Sequence, residues 1–292
     1  PRHTHGVVGA LVLPEEVGTD VLPHERTMPR AKSDRLALLR ATRANLDPIW
    51  CLSLATGLSE LLERGGDELA ACVDSEGVRH TLRALADEGD ATRIADAVAG
   101  APVVIADGHH RFETACAYRD ERPDDPGAAS IMAFVVELAD DELHVQPIHR
   151  LLTGLGDFDL RGALGAADAG PNTPEGVTAL QARMRAEGGL GLVDHAGLAR
   201  FAPRSEGEVD AAAFDAEVLP RLPQGTDVGY RSDAAVVASL VEKGVADAAV
   251  LLRAVTVAQI RETAFAGERM PEKTTYFHPK PRTGMVFRSL GG

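Results

Sequence analysis

An α/β fold with an α+β-type mixed sheet is what the sequence predicts, on three observations. Apolar, β-branched runs at 49–53, 101–107 and 131–138 read as buried strands. Between them lie segments of helical periodicity at 34–46, 57–64 and 91–99, with a further one opening just after Asp107. Polar turn signals, Asn45-Leu-Asp-Pro48, Asp107-Gly108 and Asp140-Asp141, punctuate the joins.

Taken in order, Val7–Leu13 reads as the first strand. A loop with Pro14, Pro23 and Pro29 follows and carries His24-Glu-Arg-Thr27. Ser33-Asp34 caps the helix at 34–46, with Leu36, Leu39 and Ala41 on its apolar side. Lys32, Arg35, Arg40 and Arg43 make this the densest basic cluster of the chain. A solvated helix face explains that cluster as well as a phosphate contact through Arg40 does. Leu69–Val73 and Val78–Thr81 form an expected hairpin about Asp74-Ser-Glu-Gly77, and Leu143–Arg150 follows the strand at 131–138. These elements are expected to make one α/β unit over 1–152. Residues 153–245, rich in Ala and Gly, read as an accessory helical subdomain. Its helices are expected near 159–167, 174–187, 210–218 and 232–243, with short strands near 190–194 and 198–202. Residues 246–292 are expected to return to the core through a strand at 247–253, a helix at 256–265, the loop Met270–Arg282 and a last strand at 284–288.

Composition narrows the function classes. The chain has 292 residues, 45% hydrophobic and 25% charged, and a net charge of −14. That charge argues against nucleic acid as a partner, because positive charge supplies most of the affinity for it. It also argues against anionic membranes, and no apolar run approaches the roughly 18 residues that span a bilayer. Cys51, Cys72 and Cys116 are odd in number and widely spaced, so reduced thiols and a cytoplasmic setting are the expectation. A phosphate-bearing small molecule would need a local basic pocket in this acidic field. Of 30 basic residues only four are lysines, namely Lys32, Lys243, Lys273 and Lys280. Positions that stay lysine in an arginine-rich chain are candidates for a compact point charge.

The densest chemistry lies in Asp107-Gly-His-His-Arg111, where a core strand passes into a helix. The first turn of a helix offers backbone N–H groups and partial positive charge. Gly108 lets a ligand approach the backbone, while His109, His110 and the bidentate fork of Arg111 add charge. Together these features predict an anion site. An ordinary turn capped by Asp107 is the plainer alternative. Ile148-His149-Arg150 ends a predicted strand and supplies two more candidate phosphate contacts. Glu25 is a candidate general base. Lys273, Thr274, Thr275 and Lys280 sit in the proline-flanked terminal loop as candidate substrate contacts. No P-loop, dinucleotide-binding or nucleophile-elbow pattern occurs.

Five ordered segments carry a resemblance: Val21–Glu25, Leu38–Ile49, Ala106–Arg111, Pro147–Arg150 and Met270–Lys280. They are similar to the motifs of a bacterial and archaeal family, the domain of unknown function 1015 family. The Ala106–Arg111 turn also resembles that of the ParB/sulfiredoxin-like superfamily, whose members include a free serine kinase, CTPases and an ATP-dependent reductase. The resemblance implies a ParB/sulfiredoxin-like core and a nucleotide or phosphoryl site around Asp107, His109, His110 and Arg111. It implies ADP or ATP together with Mg2+, placed on Asp107. Members of that family usually carry further residues ahead of the strand at Val7. The reading that follows is a nucleotide-dependent phosphotransferase acting on a small hydroxyl compound such as serine. A nucleotide or phosphomonoester hydrolase and a non-catalytic nucleotide sensor are the alternatives.

Overall fold

The computed structural model describes residues 3–16, 18–23, 32–63, 65–85, 87–203 and 209–291. Glu25 and its neighbours in His24–Thr27 lie outside the described residues. The chain forms two compact units. The first comprises Pro1–His144, Ile260–Arg269 and Phe277–Gly292, the second Val145–Gln259 and Met270–Tyr276.

The sheet of the first unit contains β1 (Gly6–Val12), β2 (Val21–Pro23), β3 (Ile49–Ser53), β4 (Val103–Asp107) and β5 (Ser130–Glu137). Their spatial order is β1-β5-β3-β4-β2. β1 and β5 pair antiparallel, β5 and β3 parallel, β3 and β4 antiparallel, and β4 and β2 parallel. The mixed sheet expected from the sequence is therefore present. The central strands are apolar between their ends because both faces are covered. On one face Ile49, Cys51, Val103, Ile105, Ala133 and Val135 pack with Leu58, Ile94, Phe112 and Ala115 from three helices. On the other, the Trp50 ring lies 5.8 Å from Phe134 and 5.7 Å from Phe277.

The helices of this unit include α1 (Lys32–Thr42), α2 (Leu58–Glu63), α3 (Glu88–Ala99) and α4 (His109–Asp120). α1 stops four residues before its expected end at 46. Arg43 takes a left-handed φ of 46°, and Ala44-Asn45 then pairs with Arg288-Ser289. Of the strand expected at 284–288 only Arg288 lies in a strand. α3 begins at Asp87, whose carboxylate accepts the Asp90 N–H at 2.9 Å.

The second unit differs from the helical subdomain expected over 153–245. It holds a six-stranded antiparallel sheet of β6 (His149–Thr153), β7 (Ala167–Gly170), β8 (Leu190–Asp194), β9 (Gly197–Phe201), β10 (Asp227–Arg231) and β11 (Ala248–Leu251). The order is β7-β9-β8-β11-β6-β10. The division therefore falls at 144/145 instead of 152, because β6 pairs with β10 and β11 and not with the first sheet. The expected helices at 174–187 and 232–243 form as α5 (Pro174–Glu187) and α6 (Ala234–Glu242). They cover one face through Val177, Leu180, Met184, Val237 and Val241, while Phe214 and Val218 pack on the other. No helix among the described residues is long and apolar enough to cross a membrane.

Candidate functional site

β4 is fully apolar up to Asp107, and the chain must then turn sharply to enter α4. Gly108 makes that turn at φ 98° as the N-cap of the helix. Its carbonyl accepts the Phe112 N–H at 3.0 Å, closing the first helical turn. A Cβ here would sit 2.9 Å from Ile49 Cγ2 and 3.0 Å from Arg111 Nη2. Both the left-handed φ and the crowding demand glycine. Gly108→Ala is accordingly expected to cost about 2 kcal/mol, read as a lower denaturant midpoint with an unchanged slope.

The turn places three side chains on the first turn of α4. His109 and His110 are half-buried, and His110 Nδ1 is 3.9 Å from Glu113 Oε2. Arg111 folds back over the turn. Its Nη2 donates to Asp107 Oδ2 at 2.8 Å, and its Nη1 donates to Pro48 O at 2.5 Å and to Asp47 Oδ2. Lys280 Nζ donates to the other oxygen of Asp107. Thr283 Oγ1 donates to Asp47 Oδ1 at 3.0 Å. Asp47, Asp107, Arg111, Lys280, Pro281, Arg282 and Thr283 line one open cleft of about 440 Å³, all within the first unit.

The cleft holds three cations and two carboxylates, so its local charge is positive in a chain of net charge −14. Guanidinium and ammonium groups above a helix N-terminus can bind a phosphate or carboxylate. Cys51 is an unsuitable nucleophile, since burial pushes its thiol up to about 12 despite the opposing charge of Arg111.

Of the expected site residues Gly108, His109 and His110 adjoin the cleft in the turn into α4, and Asp107, Arg111 and Lys280 line it. Asp47, Arg282 and Thr283 join them and were not singled out by the sequence. Asp47 read as part of a helix stop, and only the proline-punctuated run toward Arg282 hinted at the other two. Arg40 lies on the surface, where its Nε donates to Glu121 Oε2 at 3.0 Å, a solvated interhelical ion pair.

His149 and Arg150 are side chains of the second unit's core, with 0% and 2% exposure. His149 Nδ1 accepts the Leu252 N–H at 3.1 Å. Arg150 donates to Ile148 O at 2.7 Å and Lys273 O at 2.9 Å, with its guanidinium 5.0 Å from the Tyr230 ring centre and 5.5 Å from that of Phe214. This geometry replaces the phosphate contacts expected of both residues: the dipeptide begins a buried strand instead of ending one. Lys273, Thr274 and Thr275 also belong to the second unit. Lys273 is exposed at φ 57°, while Thr274 and Thr275 are buried, with Thr274 Oγ1 donating to Pro271 O at 2.6 Å. Internal packing accounts for both threonines.

Burial, followed by the nearby Arg150 charge, pushes the His149 imidazole down to about 4, against a smaller opposing pull from Asp233. The folded protein thus keeps it neutral between about 4 and 6.5, where the unfolded chain takes up a proton. Its contribution is whole above 6.5 and is lost as the pH falls toward 4. The expected loss is about 3 kcal/mol across that window. Denaturant midpoints at pH 7 and pH 4.5 should therefore converge more closely in His149→Asn than in the wild type.

The fold is similar to that of a free serine kinase variant in complex with AMP. There the TM-score is 0.51 at 14% identity, over 94% of this chain and 88% of that one. It is also similar to a conserved hypothetical protein from Pyrococcus furiosus, with a TM-score of 0.50 at 15% identity over 99% and 97% of the two chains. At these identities the likeness is one of fold. No curated protein matches the chain. Residues 1–208 match the family described as protein of unknown function, DUF1015, and the chain belongs to that family.

Proposed function

We propose that this protein is a nucleotide-dependent phosphotransferase acting on a small hydroxyl compound, with serine the first candidate, on a ParB/sulfiredoxin-like core. One observation carries the reading: Arg111, Lys280 and Arg282 converge on a cleft at the start of α4, where backbone N–H groups and the helix dipole already favour an anion. The fold shared with structures of a free serine kinase bound to AMP or ADP supports a nucleotide as that anion.

In this reading Gly108 and the first turn of α4 cradle a phosphate, and His110, Arg111 and Lys280 neutralise it. The acceptor hydroxyl oxygen forms a bond to the terminal phosphorus as the bond to the nucleotide's bridging oxygen breaks. Asp107 takes the hydroxyl proton, with Glu25 the second candidate base and His109 a further catalytic candidate. With ADP as donor the products are AMP and the phosphorylated acceptor. Catalysis of this kind is mainly positioning and charge stabilisation.

The Mg2+ expected on Asp107 does not fit the residues present. Both oxygens of that carboxylate already accept from cations, Arg111 and Lys280, whose charges would repel a divalent ion bound beside them. Among the described residues no three His, Cys, Asp or Glu side chains gather as a metal-binding group. The two cations themselves supply the charge that the metal was expected to provide.

Incubating the protein with ADP or ATP and serine, and following phosphorus species by NMR, tests the proposal. Phosphoserine is the expected product. Free phosphate alone would point to the hydrolase, and tight binding without turnover to the sensor; neither is compatible with a transferase.

A further inference from the structure

The four residues Lys280–Thr283 form a strap across the cleft. Lys280 is fixed to Asp107 and Thr283 to Asp47, the latter at 3.0 Å. Those two carboxylates are in turn joined by Arg111, which donates to both. The strap is therefore anchored at each end on one ion-paired assembly. Pro281 stiffens it between the anchors, and Gly284 turns the chain away at φ 93°.

Arg282 lies between the anchors and lines the cleft. Its side chain has no hydrogen-bond or ion-pair partner among the described residues, whereas Arg111 and Lys280 already hold carboxylates. Of three cations and two carboxylates, the uncompensated charge is that of Arg282. A guanidinium held on a stiff, doubly anchored segment loses less freedom on binding than one on a mobile tail.

Resting on the nucleotide reading above, we propose that Arg282 contacts the outermost phosphate of a nucleoside di- or triphosphate, and that Thr283 is a positioning residue which keeps it there through Asp47. The planar fork suits a terminal phosphate with two accessible oxygens. Arg282 would then distinguish ligands by the number of phosphates they carry, since AMP has none to offer at that position.

Titration calorimetry of the full chain with ADP, AMP and pyrophosphate tests this. Arg282→Gln is expected to weaken ADP and pyrophosphate by about tenfold to a hundredfold, the worth of one charge-assisted contact, and to leave AMP nearly unchanged. The preference for ADP over AMP should therefore collapse. Thr283→Val should weaken ADP several-fold, with recovery in Thr283→Ser, which restores the hydroxyl. Wild-type ADP affinity and wild-type ADP-over-AMP preference in Arg282→Gln would overturn the inference while leaving the nucleotide reading intact. Absence of ADP and pyrophosphate binding in the wild type would overturn both.

Discussion

Arg111→Ala is expected to weaken ADP binding by at least about a hundredfold, because two losses add. A bidentate, charge-assisted contact to phosphate is worth about 1.5–3 kcal/mol. The same substitution leaves Asp107 and Asp47 facing the cleft without the guanidinium that joins them. Their charges then repel an incoming phosphate at close range. Arg111→Lys keeps the charge without the fork and should fall between the alanine variant and the wild type. Calorimetry on the three proteins checks the order. Equal affinity in all three would remove Arg111 from the site.

Arg150→Ala is expected to cost about 3–5 kcal/mol of stability, the usual penalty for deleting one partner of a buried, charge-assisted network. Its guanidinium is almost wholly buried and serves the carbonyls of Ile148 and Lys273 while packing near two aromatic rings. Removal strands those acceptors and opens a cavity. Thermal unfolding should show a midpoint lowered by about 10 °C. A phosphate-binding Arg150 would behave oppositely, with an unchanged midpoint and lost ADP affinity.

What could be read from the sequence follows from how local each feature is. The β4–Gly108–α4 turn is contiguous, so strand, glycine and cations stand side by side in the chain and announce the site directly. Asp47 lies 64 residues from Arg111, and Thr283 lies 236 from Asp47, so only the folded sheet brings them together. The strands of the first sheet were legible because burial on both faces leaves uninterrupted apolar runs. In the second sheet β8, β9 and β11 form where strands were expected, near 190–194, 198–202 and 247–253, but the edge strands were not legible. Those edge strands, Ala167-Asp-Ala-Gly170 and Asp227-Val-Gly-Tyr-Arg231, have weak β-propensity and exist through pairing with their neighbours. His149-Arg150 misled for a related reason. A polar dipeptide reads as surface unless the partners that satisfy it, here the Leu252 N–H and distant carbonyls, are already known.

The central claim is that the start of α4 holds the phosphates of a nucleotide. A nitrogen-15 NMR titration with ADP addresses those backbone amides one by one. The resonances of Gly108, His109 and His110 should shift together and saturate at the ADP concentration that saturates calorimetric binding. ADP that binds while those three amides stay where they were would contradict the account.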